Sequence, residues 1–131
     1  MKKVLVLDDN PRNNGLFTDP LAKYYEVEVL MAVSAVRRVM SHKKYDLVVI
    51  DVMMPTQDTG ASSELTTGLY FYKKSIVEQY PQQKVLFWSN RSQEPFNQFF
   101  SDGVPANVSF LRKDKNNPQQ LLDEVTKLIG R

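Results

Sequence analysis

The chain has 131 residues and no cysteine, which excludes a disulfide framework, a thiolate zinc site and a cysteine nucleophile. It also lacks any long hydrophobic run. The most apolar stretches, Val4–Leu7 and Leu47–Ile50, are four residues each, against the roughly twenty needed to span a bilayer. Met1-Lys2-Lys3 imitates the charged start of a signal peptide, but Asp8-Asp9 ends the apolar stretch too soon. An excess of one charge is missing as well. Seventeen Lys and Arg against fifteen Asp and Glu leave +2, with neither half a basic or acidic tail, so no direct nucleic-acid binding and no membrane insertion are expected. The remaining composition, 42% hydrophobic and 24% charged, is that of a folded domain, and the length predicts one domain over 1–131.

Val4–Leu7, Leu47–Ile50 and Val85–Trp88 are unbroken apolar runs of strand length, the pattern of strands buried on both faces of a parallel sheet. Val108–Leu111 is a weaker example, and Glu26–Leu30 alternates as a half-exposed edge strand does. Between these runs, apolar residues recur at helical spacing: Val33, Val36, Val39 and Met40; Leu69, Tyr72, Ile76 and Tyr80; Leu121, Leu122, Val125, Leu128 and Ile129. Asn10-Pro11 and Asn117-Pro118 read as helix starts, with proline at the first helical position. Pro20 predicts a kink or an early stop in the first helix, and a short fourth helix is expected around Phe96–Phe100. Strand and helix patterns that alternate predict βαβ units, a parallel sheet and a ligand crevice at the carboxyl ends of the strands.

The polar residues at those ends are Asp8 and Asp9, Asp51, Ser89 and Lys113. Three carboxylates brought together repel one another unless a cation intervenes, and a hard divalent ion such as magnesium suits oxygen donors on strand ends. A lysine opposite such an ion points to a substrate with anionic oxygens, hence to phosphoryl chemistry.

Val4-Leu5-Val6-Leu7-Asp8-Asp9, Tyr45–Pro55 with Asp51 at its centre, Leu86-Phe87-Trp88-Ser89 and Phe110-Leu111-Arg112-Lys113 together resemble the receiver domain of bacterial two-component response regulators, across nearly the whole chain. The resemblance implies a flavodoxin-like, doubly wound α/β fold: a five-stranded parallel sheet, order 2-1-3-4-5, with helices on both faces. It implies that Asp51 accepts a phosphoryl group from a phosphohistidine on a sensor histidine kinase or histidine phosphotransfer protein. Asp9, Asp51 and the backbone carbonyl of Met53 would ligate Mg2+, with Asp8 acting through water. Lys113 would pair with a phosphoryl oxygen, and Ser89 and Phe110 would form the switch that passes the state of the site to an output partner. Such a domain is a cytoplasmic phosphoprotein that catalyses only its own phosphorylation and slow dephosphorylation.

Several residues depart from the pattern. Asp114 follows Lys113 where the family usually has proline, which puts the expected cis peptide in question. The helix-opening glycine matches Gly68, leaving an inserted loop at about 56–67, and Asn90 replaces the small residue usual after Ser89, with Arg91 following it. A receiver-like scaffold working without phosphorylation is the alternative these departures suggest. An aspartyl phosphatase wants a second acid at Met53, and a nucleotide-binding flavodoxin-like protein wants a glycine-rich loop after Leu7; neither is present. His42, Lys43-Lys44 and Lys73-Lys74 read as solvated surface, and Phe96, Phe99 and Phe100 as core.

Overall fold

The computed structural model describes residues 1–8, 11–52, 67–90, 92–114 and 116–131, residues 11–14 by their backbone alone. The elements alternate: β1 (Lys3–Leu7), α1 (Pro11–Leu21), β2 (Glu26–Leu30), α2 (Val33–Met40), β3 (Leu47–Asp51), α3 (Thr67–Phe71), β4 (Val85–Ser89), α4 (Glu94–Phe99), β5 (Val108–Arg112) and α5 (Gln120–Ile129). All strand pairs are parallel and the order is β2-β1-β3-β4-β5, as the resemblance implied.

The unbroken apolar runs lie where both sheet faces are covered. Every residue of β3 and β4 is buried, whereas the edge strands β2 and β5 are only partly so. Side chains that alternate across the sheet feed two cores. Leu5, Leu7, Val48, Ile50, Val85 and Phe87 pack against α2, α3 and α4. Val4, Val6, Val49, Leu86 and Trp88 pack against Phe17 and Leu21 of α1 and Leu121, Leu122 and Val125 of α5.

α1 includes Pro20 and ends one residue later, the early stop expected there, with Phe17 and Leu21 both buried against the sheet. The helices differ from expectation in two places. The helix expected at Leu69–Tyr80 begins as α3 and continues as a wider π-helical segment, Tyr72–Ile76, where the Val77 N–H donates to the Tyr72 carbonyl at 3.1 Å. α5 starts at Gln120 rather than at Asn117-Pro118. There the Asn117 N–H donates to the Asp114 carbonyl and the Gln120 N–H to the Asn117 carbonyl, so a tight turn precedes the helix. The fourth helix is short, as expected, with Pro95 in its first turn. The insertion expected at 56–67 lies outside the described residues except for Thr67, which is buried at the start of α3. Among the described residues no helix is long and apolar enough to cross a membrane.

Leu5 is fully buried on β1, an interior strand of the sheet. Leu5→Ala is expected to cost about 2–5 kcal/mol, read as a lower urea midpoint at unchanged slope. A loss below about 1 kcal/mol would show that this core is loosely packed.

Candidate functional site

Strand register brings the chemistry-bearing residues together at the carboxyl edge of the sheet. Leu7 pairs with Ile50, which sets Asp8 beside Asp51, and Asp51 pairs with Trp88. The ladder continues past two strand ends: the Asp8 N–H donates to the Leu30 carbonyl at 2.9 Å and the Lys113 N–H to the Ser89 carbonyl at 2.7 Å. Alternation along the strands then sorts the side chains by face. Asp8, Asp51, Trp88 and Lys113 belong to the α1/α5 face, and Ser89 and Phe110 to the opposite one, with Phe87.

The Lys113 ammonium joins the two acids. Its Nζ lies 3.3 Å from Asp51 Oδ2 and 3.8 Å from Asp8 Oδ2. The three side chains are nearly enclosed, at 8% exposure for Lys113, 1% for Asp8 and 10% for Asp51. Ionised groups so withdrawn from water require partners, because the desolvation of each is costly. The same Nζ sits 4.2 Å from the centroid of the Trp88 ring, within cation–π range. Two carboxylates and one ammonium sum to −1, and their oxygens are the hard donors that magnesium prefers, so the residues fit such an ion. The other expected ligands, Asp9 and the Met53 carbonyl, lie outside the described residues, among which no group of three or more His, Cys, Asp or Glu side chains gathers.

Ser89 is buried at the end of β4, next to β3 and its Asp51. Phe110 is half-buried, its ring 5.1 Å from that of Phe96 on α4. Phe96 and Phe100 in turn contact Phe87, so the aromatic residues of α4 and its C-cap are core, as expected. No cis peptide bond occurs among the described residues, so Lys113 is delivered through a trans link to Asp114. Asn90 is exposed beside the site, and Arg91 lies outside the described residues. His42 is exposed and lines a groove of about 750 Å³ with Met40, Tyr45, Tyr80 and Ile129, near the amino ends of the strands and away from Asp51.

Two contributors were not singled out as site residues from the sequence: Trp88 and Gln120. Trp88 pairs with Leu111, so period-two alternation places Lys113, two residues on, over the same face; that signal was readable. The Gln120 carboxamide donates to the Arg112 carbonyl at 2.5 Å and accepts from the Asp114 N–H at 2.8 Å, contacts with no sequence signature.

Gly68 sets how close α3 comes to Asp51. A Cβ there would stand 2.1 Å from the Asp51 carbonyl oxygen, and the Gly68 N–H donates to the Val52 carbonyl at 2.9 Å. Only glycine permits that approach. Gly68→Ala therefore displaces either α3 or the Asp51 backbone and is expected to destabilise the fold by about 1–3 kcal/mol, measured by urea unfolding. Unchanged stability with unchanged Asp51 backbone shifts in NMR would contradict this packing.

No protein-family model matches the chain. Over 82 residues, 60% of its length, it is 34% identical to a protein-glutamate methylesterase/protein-glutamine glutaminase of Syntrophus aciditrophicus, and it spans only 21% of that protein. Among solved structures, the response regulator TrrA of Thermotoga maritima, in complex with Mg2+-BeF, superposes with a TM-score of 0.73 at 22% identity, over 98% of this chain and 99% of that one. TrrA has also been solved in complex with the histidine kinase ThkA. The chemotaxis protein CheY4 of Vibrio cholerae superposes with a TM-score of 0.76 at 23% identity, over 98% of both chains. With its parallel sheet in the order 2-1-3-4-5 and its polar residues gathered at one edge, the chain has the fold of response-regulator receiver domains.

Proposed function

We propose that this chain is one receiver domain over 1–131 that accepts a phosphoryl group on Asp51 from a phosphohistidine and signals through the conformational change that follows. The observation that carries the reading is the Lys113 ammonium, withdrawn from solvent and held 3.3 Å from the Asp51 carboxylate at the carboxyl edge of the sheet. The kinase complex of TrrA supports a histidine kinase as donor, and its Mg2+-BeF complex supports magnesium as cofactor.

An Asp51 oxygen attacks phosphorus, the P–N bond to the donor imidazole breaks, and its electron pair stays on the ring nitrogen, which takes a proton from solvent. A carboxylate needs no general base. Orientation and charge cancellation must supply the acceleration, and well-oriented groups gain up to about 7–11 kcal/mol from being held in line. Lys113 pairs with a phosphoryl oxygen, and the Ser89 hydroxyl donates to another. Asp9, Asp51 and the Met53 carbonyl would hold the magnesium ion, with Asp8 acting through water, and the ion would supply further charge neutralisation where negative charge accumulates. Residue 53, where an aspartyl phosphatase carries the second acid that protonates an ester's departing alkoxide and then activates water, is Met53, so no external ester is turned over and the acyl phosphate on Asp51 is lost slowly. Phosphorylation adds about −2 of charge beside Ser89, and the packing of Phe110 on Phe96 links that edge to α4, favouring an output face of α4, β5 and α5. A two-component partnership of this kind places the domain in the cytoplasm. The scaffold alternative drew on Asp114 after Lys113. That Lys113 nonetheless reaches Asp51 favours phosphorylation.

Intact-mass measurement after incubation with a small-molecule phosphodonor tests the reading. A single phosphoryl adduct is expected with magnesium, none with chelator and none in Asp51→Asn. Lys113→Met is expected to slow its formation at least about tenfold. Absence of an adduct on the wild type, or an equal adduct on Asp51→Asn, would overturn the assignment.

A further inference from the structure

Lys113 is held by more than its two carboxylates. Asp114 keeps an amide that proline would lack, and that amide donates to Gln120 Oε1 at 2.8 Å while Gln120 Nε2 donates to the Arg112 carbonyl at 2.5 Å. One carboxamide at the start of α5 thus bridges the residues on both sides of Lys113. Asp114 completes the turn, its Oδ1 accepting from the Asn116 N–H and its carbonyl from the Asn117 N–H, each at 3.0 Å. On its other side the ammonium rests 4.2 Å from the centroid of the Trp88 ring. That ring is fully buried and braced edge-on by Phe17 of α1, at 5.7 Å and 84°.

The indole carries a cost that an aliphatic side chain would not. Trp88 Nε1 is buried with no hydrogen-bond partner among the described residues. A buried donor left unpaired opposes folding and calls for a compensating role. The ring's electron-rich face, the strongest of the aromatic side chains toward a cation, supplies one.

We propose that Trp88 and Gln120 are positioning residues for Lys113: the indole face carries the ammonium between Asp8 and Asp51, and the carboxamide locks the turn that delivers it. A lysine side chain is otherwise a flexible four-carbon stem. Held from both ends, it meets the incoming phosphoryl group already in place. The effect on phosphorylation rests on the proposed function, whereas the contact itself does not.

Trp88 is the only tryptophan in the chain, so its fluorescence reports on its own surroundings. In the protein alone, without metal or phosphodonor, Lys113→Met is expected to shift the emission of Trp88, and Gln120→Leu to shift it in the same direction by less. An emission spectrum unchanged by Lys113→Met overturns the indole contact. Phosphorylation rates by intact mass are the second readout. Gln120→Leu and Trp88→Leu are expected to slow adduct formation about tenfold, while Trp88→Phe, which keeps a ring face, stays within about threefold of wild type. In a Lys113→Met background neither leucine substitution is expected to slow it further, because a residue that acts through Lys113 has nothing left to position. Losses that add to that of Lys113→Met overturn the proposal, as does a wild-type rate in Gln120→Leu. Should Trp88→Leu fail to fold, Trp88→Phe and Gln120→Leu carry the test. A wild type that takes no phosphoryl group defeats the proposed function, and the emission comparison then decides the contact by itself.

Discussion

One buried ammonium shared between two carboxylates is the constraint around which the rest of this molecule is arranged. Asp8 and Asp51 sit at the ends of neighbouring strands whose register leaves them side by side, and like charges so placed repel each other. Lys113 relieves that repulsion from two strands away, reaching across β4 from the end of β5. The arrangement therefore depends on the sheet at two scales. The order β2-β1-β3-β4-β5 decides which strand ends are neighbours, and the pairing register decides which side chains come level. A slip of one residue would send Asp51 to the other face and bring Ile50 up in its place.

The same geometry separates two tasks. On the α1/α5 face stand the acids, the lysine and the indole beneath it; on the opposite face Phe110 packs with the aromatic layer of Phe87, Phe96 and Phe100, and Ser89 falls on that side by alternation. Alternation within single strands connects them, since Trp88 and Ser89 are adjacent in β4 and point apart.

Much of this was legible in the sequence because parallel strands buried on both faces must be apolar throughout. Val4–Leu7, Leu47–Ile50 and Val85–Trp88 fall within strands extended by a single residue, and Glu26–Leu30 matches the edge strand in both bounds. Asp8, Asp51, Ser89 and Lys113 were readable as strand-end residues for the same reason. What local pattern could not show depends on tertiary context. The π-helical segment keeps Leu69, Tyr72 and Ile76 buried while changing the hydrogen bonding beneath them. The start of α5 moved because Asp114 nucleates a turn ahead of it. The Gln120 bridge joins residues eight and six positions apart through side-chain atoms, and no periodicity announces it. Asp9, Met53 and 56–66 lie outside the described residues, so those expectations stand on the resemblance alone.

The central claim is that Asp51 itself is the acceptor, and locating the modification tests it most directly. The protein would be treated with phosphodonor and magnesium, reduced with borohydride to convert an acyl phosphate to the corresponding alcohol, and mapped by peptide mass spectrometry. Reduction is expected at residue 51 and at no other carboxylate, Asp8 and Asp9 included. Reduction at a different aspartate, or a modification that borohydride leaves untouched, would contradict it.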